Sequence, residues 1–539
     1  MKGSAASLVA LVLAVALPAQ QQDWQVFGPY DHQYTSMARF ADFDNDGNRD
    51  LLVSVFPYGV PHPLSYLHDV VVLSGPTGAV LWQSVAVGFA HGFQFVRPAG
   101  DMDRDGLPDF AMRDNGGSGG SAVVVWSTGT NQEIWSVLGP YSGTFGFDLV
   151  GDLDTDGDGA PDLVTLTRSW QSEVFVYDNA GSLRYTLPCF AVGLEALSLA
   201  KMGDIDGDHC DDFLVGCSDY LTGARGIVLL VSGKNGNILR ISQGLLPGDK
   251  TFFNTTNLGD IDGDGVNDYA AFPWWSASRL MPCLWSGATG ALIRTLPGVY
   301  AESVVADQDL DLDGVNDLVL GWEYPISPPQ LYGRSQAISG RDGTELWTVD
   351  NFQGSGQPST GWGRFAAGLG VQPGSPYPAV AWMDLMFVDH SQMMNLAWGR
   401  VRGFHATRAG QGPVLGTPCT SDGTLPQIGV RKTASGSRIT IAKSHPNGVA
   451  ALWLSIQPLP APVDLSPFGL TGCSLYVSAD AAWLRTLGAT GIDRGYAAID
   501  LPFQLSASGT GLGVTAQWLV VDPATGNHAA TAMHALRLQ

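Results

Sequence analysis

Four aspartates within nine residues, in the pattern D-x-D-x-D-G-x-x-D, occur six times before residue 320. The copies are Asp42, Asp44, Asp46 and Asp50, then Asp101, Asp103, Asp105 and Asp109, then Asp154, Asp156, Asp158 and Asp162. They continue with Asp204, Asp206, Asp208 and Asp212, with Asp260, Asp262, Asp264 and Asp268, and with Asp309, Asp311, Asp313 and Asp317. Carboxylates at alternate positions of one tight loop converge, and at an effective dielectric of ~20 each pair about 5 Å apart repels by roughly 3 kcal/mol. A cation is the expected counterpart. Hard oxygen ligands select calcium over zinc or copper, and a flexible cage of about six or seven oxygens suits calcium better than magnesium. Positions 1, 3 and 5 are expected to give side-chain oxygens, position 7 its backbone carbonyl, and position 9 a bidentate carboxylate.

The variable positions fit that assignment. Position 7 is Asn48, Leu107, Ala160, Cys210, Val266 or Val315, a spread expected where only backbone matters. Position 2 is Phe43, Met102, Thr155, Ile205, Ile261 or Leu310, mostly side chains able to anchor the loop in a core. Position 6 is glycine except at His209, as a left-handed backbone wants; histidine is among the residues enriched there. The third copy is preceded by Gly151-Asp152, which implies a two-residue insertion. An EF-hand begins similarly but needs a glutamate at position 12 and flanking helices. Position 12 here is Val53, Met112, Thr165, Val215, Ala271 or Leu320, in strand-like sequence. At ~10 to 30 times its dissociation constant, each calcium ion would stabilise the fold by roughly 1.4 to 2 kcal/mol. Six such ions, the most these loops provide for, would roughly halve the formal charge of −23.

The elements that must carry these loops follow from the spacing. Successive copies start 59, 53, 50, 56 and 49 residues apart, a period that signals a propeller or solenoid. A second phrase keeps the same beat: "VVVLSGPTGAVLW" around Gly78 returns as "VVVWSTGTNQEIW", "VFVYDNAGSLRY", "VLLVSGKNGNILR", "PCLWSGATGALIR" and "QAISGRDGTELW". Each is a strand, a glycine-containing turn and a second strand. A seventh, weaker copy is "VRGFHATRAG". Apolar, β-prone runs such as "LVTLT" and "LVLG" follow each ninth aspartate. One unit therefore reads as strand, acidic loop, strand, connection, strand, turn, strand, which is the content of a propeller blade. Closure into a ring would protect the end edges. In the seventh unit "WGRFAAGL" from Trp362 aligns with "FGFDLVGD" from Phe145, so Leu369 stands where Asp152 does and the acidic loop is lost. Residues 24–27 are expected to supply that unit's missing outer strand and close the ring.

Residues 24 to about 410 resemble the FG-GAP (VCBS-like) repeat proteins and are similar to the seven-bladed propeller of integrin α chains. Phe145-Gly146 before Gly151-Asp152, together with each acidic loop, carries the resemblance. It implies calcium in the blade loops and partner binding elsewhere on the ring. The family includes adhesion proteins, lectin-like modules and enzymes, so it does not fix an activity. The lost loop of unit seven and His209 depart from its pattern.

Beyond residue 410 the repeat stops. "SRITIAKS", "GVAALWLSI", "CSLYVS", "GYAAIDLPF", "GVTAQWLVVD" and "ATAMHALRLQ" read as six strands between glycine, proline and aspartate turns, hence a small β-sandwich over 411–539. It resembles the terminal sandwich of secreted bacterial repeat proteins, which implies sorting, attachment or capping. Cys419 and Cys473 are the only cysteines beyond residue 410 and are the expected disulfide pair; the other four lie in the repeats. Residues 1–19 carry Lys2, an apolar run and small residues, and read as a secretory signal. The mature chain, from residue 20, is then expected outside the cell or at its surface, with no transmembrane span. A pI near 4.6 argues against nucleic acid or an anionic membrane as partner.

No H-E-x-x-H, G-x-S-x-G or Walker pattern occurs, and with so many aspartates no glycosidase pair stands out. Sixteen tryptophans raise carbohydrate stacking, with Trp274-Trp275 the best platform, against ordinary packing between blades. The sequence thus predicts an all-β chain, a seven-bladed β-propeller over 20–410 and a C-terminal sandwich. The expected role is a calcium-binding, non-catalytic adhesion or recognition scaffold for an extracellular protein or glycan. A lectin or polysaccharide-active enzyme on the same frame is the alternative, and oligomeric state is left open.

Overall fold

Apolar runs flank every acidic phrase, and in the computed structural model they form antiparallel strand pairs joined through the loop. The structure describes residues 21–538 apart from 28–31, 58–68, 85–95, 115–119, 141–144, 170, 220–225, 246–251, 274–281, 298, 300, 302, 323–330, 353–358, 372–377, 388–397, 406–413, 416, 424, 434, 457, 479 and 507–511. The signal segment, the Trp274-Trp275 pair and the junction at residue 410 lie outside the described residues. Among the described residues there are strands, turns and short 3-10 turns but no α-helix.

Six four-stranded antiparallel units follow one another along the chain. The third is representative: Phe145–Leu153, Asp162–Thr167, Val174–Tyr177 and Leu183–Leu187, paired in that order. Its middle strands are buried at every residue, while the fourth is partly exposed. That burial explains why the second and third strands read as unbroken apolar runs rather than alternating ones. The first, second, fourth, fifth and sixth units begin at His32–Arg39, Val96–Gly100, Leu194–Gly203, Phe252–Gly259 and Ser303–Gln308. A single parallel bridge, Gly333 to Trp362, joins the sixth to the following strands.

Those strands, Ser359–Val371, Pro378–Phe387 and Trp398–His405, are completed by Gln21–Phe27 from the other end of the chain. Gln21–Phe27 runs antiparallel to Trp398–His405, with Trp24 opposite Gly403 and Phe27 opposite Arg400. The outer strand expected for this unit is therefore provided by the N-terminal segment. First strands of successive units lie against one another, and Ser359–Val371 lies against His32–Arg39, so the contacts form a cycle.

Apolar cores sit between successive units rather than inside one. Phe40, Leu52, Val72, Phe110, Met112 and Trp126 join the first to the second, and Val164, Phe213, Val215 and Leu229 join the third to the fourth. At the periphery, the last large residue of the first five hairpin phrases reaches the turn of the next unit. Trp82 Nε1 donates to the Thr128 carbonyl and Trp135 Nε1 to that of Asn179, both at 2.9 Å. The Tyr185 hydroxyl donates to Gly233 O at 2.6 Å, and Arg240 and Arg294 reach the carbonyls of Ala288 and Arg341 at the same distance. These tryptophans serve packing between units, not an exposed platform.

Beyond residue 413 an eight-stranded sheet containing Val449–Ser455 and Leu512–Val521 shares one core with the three-stranded sheet Gln427–Thr433, Gly436–Ala442 and Ala497–Leu501. Trp518, fully buried, is its largest side chain. Cys419 and Cys473 form a disulfide with Cα atoms 5.2 Å apart, and Cys189, Cys210, Cys217 and Cys283 are free and buried.

Removing residues 1–27 would leave the edge of Trp398–His405 unpaired and exposed. The truncated chain is expected to melt several degrees lower and to self-associate, as read by differential scanning fluorimetry and size-exclusion chromatography. An unchanged midpoint would show that the N-terminal strand does not hold the seventh unit.

Candidate metal centres

Each acidic loop joins the first and second strands of its unit, and its geometry is set by hydrogen bonds to its own carboxylates. The position-1 aspartate accepts from the backbone of position 6 in all six loops. The donors are Gly47, Gly106, Gly159, His209, Gly265 and Gly314, at 2.8 to 2.9 Å. Position 5 turns the other way and accepts from the position-7 N–H, as in Asn48 to Asp46 at 2.8 Å and Val266 to Asp264 at 2.9 Å. Position 7 therefore contributes through its backbone whatever its side chain.

The ninth aspartate is the best-held of the four. Its Oδ2 accepts from position 2: Phe43 to Asp50, Met102 to Asp109, Thr155 to Asp162, Ile205 to Asp212, Ile261 to Asp268 and Leu310 to Asp317, at 2.7 to 2.9 Å. Its Oδ1 accepts from the hairpin turn of the same unit: Gly75, Thr128, Gly233, Gly287 and Gly340 donate to Asp50, Asp109, Asp212, Asp268 and Asp317 at 3.0 to 3.1 Å. At Gly75, Gly233, Gly287 and Gly340 a Cβ would collide with the carbonyl oxygen of position 8. In those four units the glycine of the hairpin phrase lets the turn pack against the acidic loop, and in the second unit Thr128 takes the place, its hydroxyl donating to the Pro108 carbonyl at 2.9 Å. Sequence reading registered both phrases without seeing that the ninth aspartate connects them.

In the first five loops the structure brings positions 1, 3 and 9 together. Asp42, Asp44 and Asp50 each offer an oxygen within 4.8 Å of the others, as do Asp101, Asp103 and Asp109, and Asp154, Asp156 and Asp162. Asp204, Asp206 and Asp212 match them, as do Asp260, Asp262 and Asp268. Asp46, Asp105, Asp158, Asp208 and Asp264, at position 5, are not members of these groups. The third loop keeps its expected frame, and the insertion before it leaves Asp152 at φ 58°. His209 stands at φ 66° and holds the fourth loop in the same conformation as glycine does elsewhere. A second left-handed position was missed: Asn45, Arg104, Gly157, Gly207, Gly263 and Leu312, at position 4, have φ between 54° and 82°. Three glycines and an asparagine there were the available signal.

An all-oxygen triangle with one buried and two accessible carboxylates fits a hard divalent ion at these five loops. The sixth differs. Asp311 and Asp313, positions 3 and 5, are 2% and 1% exposed and face guanidinium groups. Arg431 NH1 lies 3.3 Å from Asp311 Oδ2, and Arg341 Nε lies 3.3 Å from Asp313 Oδ2. Burial and the neighbouring Asp311 and Asp309 carboxylates push Asp313 well up. Asp311 and Asp313 are thus both buried against protein cations, whereas positions 3 and 5 of the other five loops are not buried.

Without an ion, burial pushes Asp50, Asp162 and Asp212 up to about 6 and Asp109 and Asp268 up to about 7, against the pull of their backbone donors. The folded chain then binds more protons than the unfolded chain between about pH 4 and 7, so its stability falls as pH rises through that window. Metal-free protein is expected to melt higher at pH 5 than at pH 7.5, with the order reversed in millimolar calcium. A metal-free midpoint that rises with pH across this range would contradict the reading.

Comparison with known proteins agrees with this geometry. Residues 154–215, which contain the third acidic loop and reach into the fourth unit, match the family model described as FG-GAP-like repeat. A stretch of 195 residues is 31% identical to integrin alpha-PS2 of Drosophila melanogaster, covering 32% of this chain and 13% of that protein. The chain spans only a small part of that relative's length. In its recurring acidic loops and four-stranded units, the chain is similar over these residues to FG-GAP-like repeats and to an integrin α chain.

Proposed function

We propose that the chain is a calcium-stabilised seven-bladed β-propeller with a C-terminal β-sandwich, exported from the cell and used there as a non-catalytic recognition scaffold. The observation that carries this reading is the convergence of three carboxylates in each of five loops, with the ninth aspartate buried between loop and hairpin turn. Bound calcium would neutralise the triangle and cross-link the first and second strands of a unit to its outer hairpin. Asp42, Asp44 and Asp50 would hold one ion, and the corresponding residues of the next four loops the others.

The cycle of contacts among first strands and the pairing of Gln21–Phe27 with Trp398–His405 support a closed ring of seven blades. The shared core of the two C-terminal sheets supports the sandwich. Export is supported by residues 1–19, and by loops that would be saturated at the millimolar calcium found outside cells. Among the described residues no helix is long and apolar enough to cross a membrane. A ring braced at each blade presents a preorganised face, which loses less entropy on binding a partner. The partner class is an extracellular protein or glycan, by analogy with an integrin α chain.

Chelation followed by melting tests the metal. Midpoint and cooperativity are expected to fall in EGTA at pH 7.5 and to return with calcium; a midpoint indifferent to EGTA rejects the proposal. A glycan array combined with a reducing-sugar assay tests the role. Turnover would replace the scaffold with a polysaccharide-active enzyme, and glycan binding without turnover would make it a lectin.

A further inference from the structure

The sixth acidic loop is covered by the C-terminal module. Arg431, on strand Gln427–Thr433, pairs with Asp311 and with Asp342 of the adjoining hairpin turn. Gly429 on the same strand lies so close that a Cβ would collide with the Asp311 carbonyl oxygen. From the other side, Arg341 of the sixth hairpin turn donates to the Asp313 and Ile492 carbonyls, each at 2.8 Å. It also pairs with Asp493 at 2.8 Å and sits 3.7 Å from the centre of the Tyr496 ring. Both arginines are largely buried, with side-chain exposures of 7% for Arg431 and 9% for Arg341.

We infer that the sixth loop is the socket for the C-terminal module and that Arg341 and Arg431 take the place of a metal ion there. Two guanidinium groups carry the same positive charge as one divalent cation, and they occupy the carboxylates of positions 3 and 5. An ion entering beside Asp311 would lose that ligand to Arg431 or meet a buried like charge a few ångströms away. The cover also leaves Asp311 and Asp313 only 2% and 1% exposed, which keeps water from these two carboxylates. Among the described residues the third loop is the nearest parallel: Arg184 lies 3.7 Å from Asp156 and 3.6 Å from the buried Asp162, and Arg104 lies 3.2 Å from Asp158. There, however, the carboxylates of positions 3 and 5 stay 31% and 50% exposed and no second module covers them. The module is thereby fixed to the ring by the loop that lacks the ion.

This inference rests on calcium binding at the other loops, and the test separates the two. Equilibrium dialysis of the full chain against calcium at pH 7.5 counts ions in the wild type, in Asp262→Ala and in Asp311→Ala. Asp262→Ala is expected to bind one ion fewer than wild type and Asp311→Ala the same number. Loss of one ion in Asp311→Ala overturns the inference. A wild type that binds none overturns the calcium reading itself and this inference with it. Should Asp311→Ala fail to fold, Arg431→Met decides: it is expected to bind one more ion than wild type, and an unchanged or lower count rejects the arginine substitution.

Discussion

A wholly buried carboxylate, bonded through both oxygens in five of the six units, is the constraint on which the repeating unit depends. The ninth aspartate is tied by Oδ2 to the start of its own loop and by Oδ1 to a hairpin turn about twenty residues later. Each bond to a charged acceptor contributes more than a neutral one, and leaving either donor unpaired inside the unit would be costly. Loop, second strand and outer hairpin therefore move as one body. The same residue is a corner of the carboxylate triangle, so any ion held there acts directly on the scaffold. Structure and electrostatics are not separable at this position.

Much of this was legible in the sequence because it is written locally and repeated. The nine-residue phrase, its period, the hairpin phrase and the pairing of the two chain ends all rest on patterns confined to one unit. The cysteine pair in the C-terminal region was equally accessible, since only Cys419 and Cys473 were available there. What escaped notice was long-range. Nothing in "SGRDG" tells that Arg341 points into a loop twenty-eight residues back and on to Ile492. Nor does "QIGVRKT" announce that Arg431 crosses to Asp311. Seven C-terminal strands were also missed, four of them only two or three residues long, and one of the longer ones, Pro458–Asp464, carries prolines that argue against a strand in sequence terms.

The loops also show which features of the phrase are chemical and which are conformational. Position 6 is glycine or histidine, and position 4 is glycine, asparagine, arginine or leucine, yet both are left-handed throughout. Leu312 and Arg104 adopt a backbone that disfavours side chains by about 1 kcal/mol, a strain held by the ring of carboxylate acceptors around them. Between units, a tryptophan, tyrosine or arginine performs the same reach to the next turn, at one position in each of the first five hairpins. Chemically unlike side chains are interchangeable there because each offers length and a terminal donor.

The meeting of Gln21–Phe27 with Trp398–His405 has a consequence for the history of the chain. Gln21–Phe27 is made before the strands of the first six units and must wait for Trp398–His405, which at about 5 to 20 residues per second takes roughly 20 to 80 s. Every earlier unit can assemble on the one before it, through contacts that are near in sequence. The final pairing alone must draw together the extremities of almost four hundred residues, although its entropic penalty grows only with the logarithm of that length. Closing the cycle is therefore a late step of biogenesis, and until then a bare strand edge must be kept from other chains.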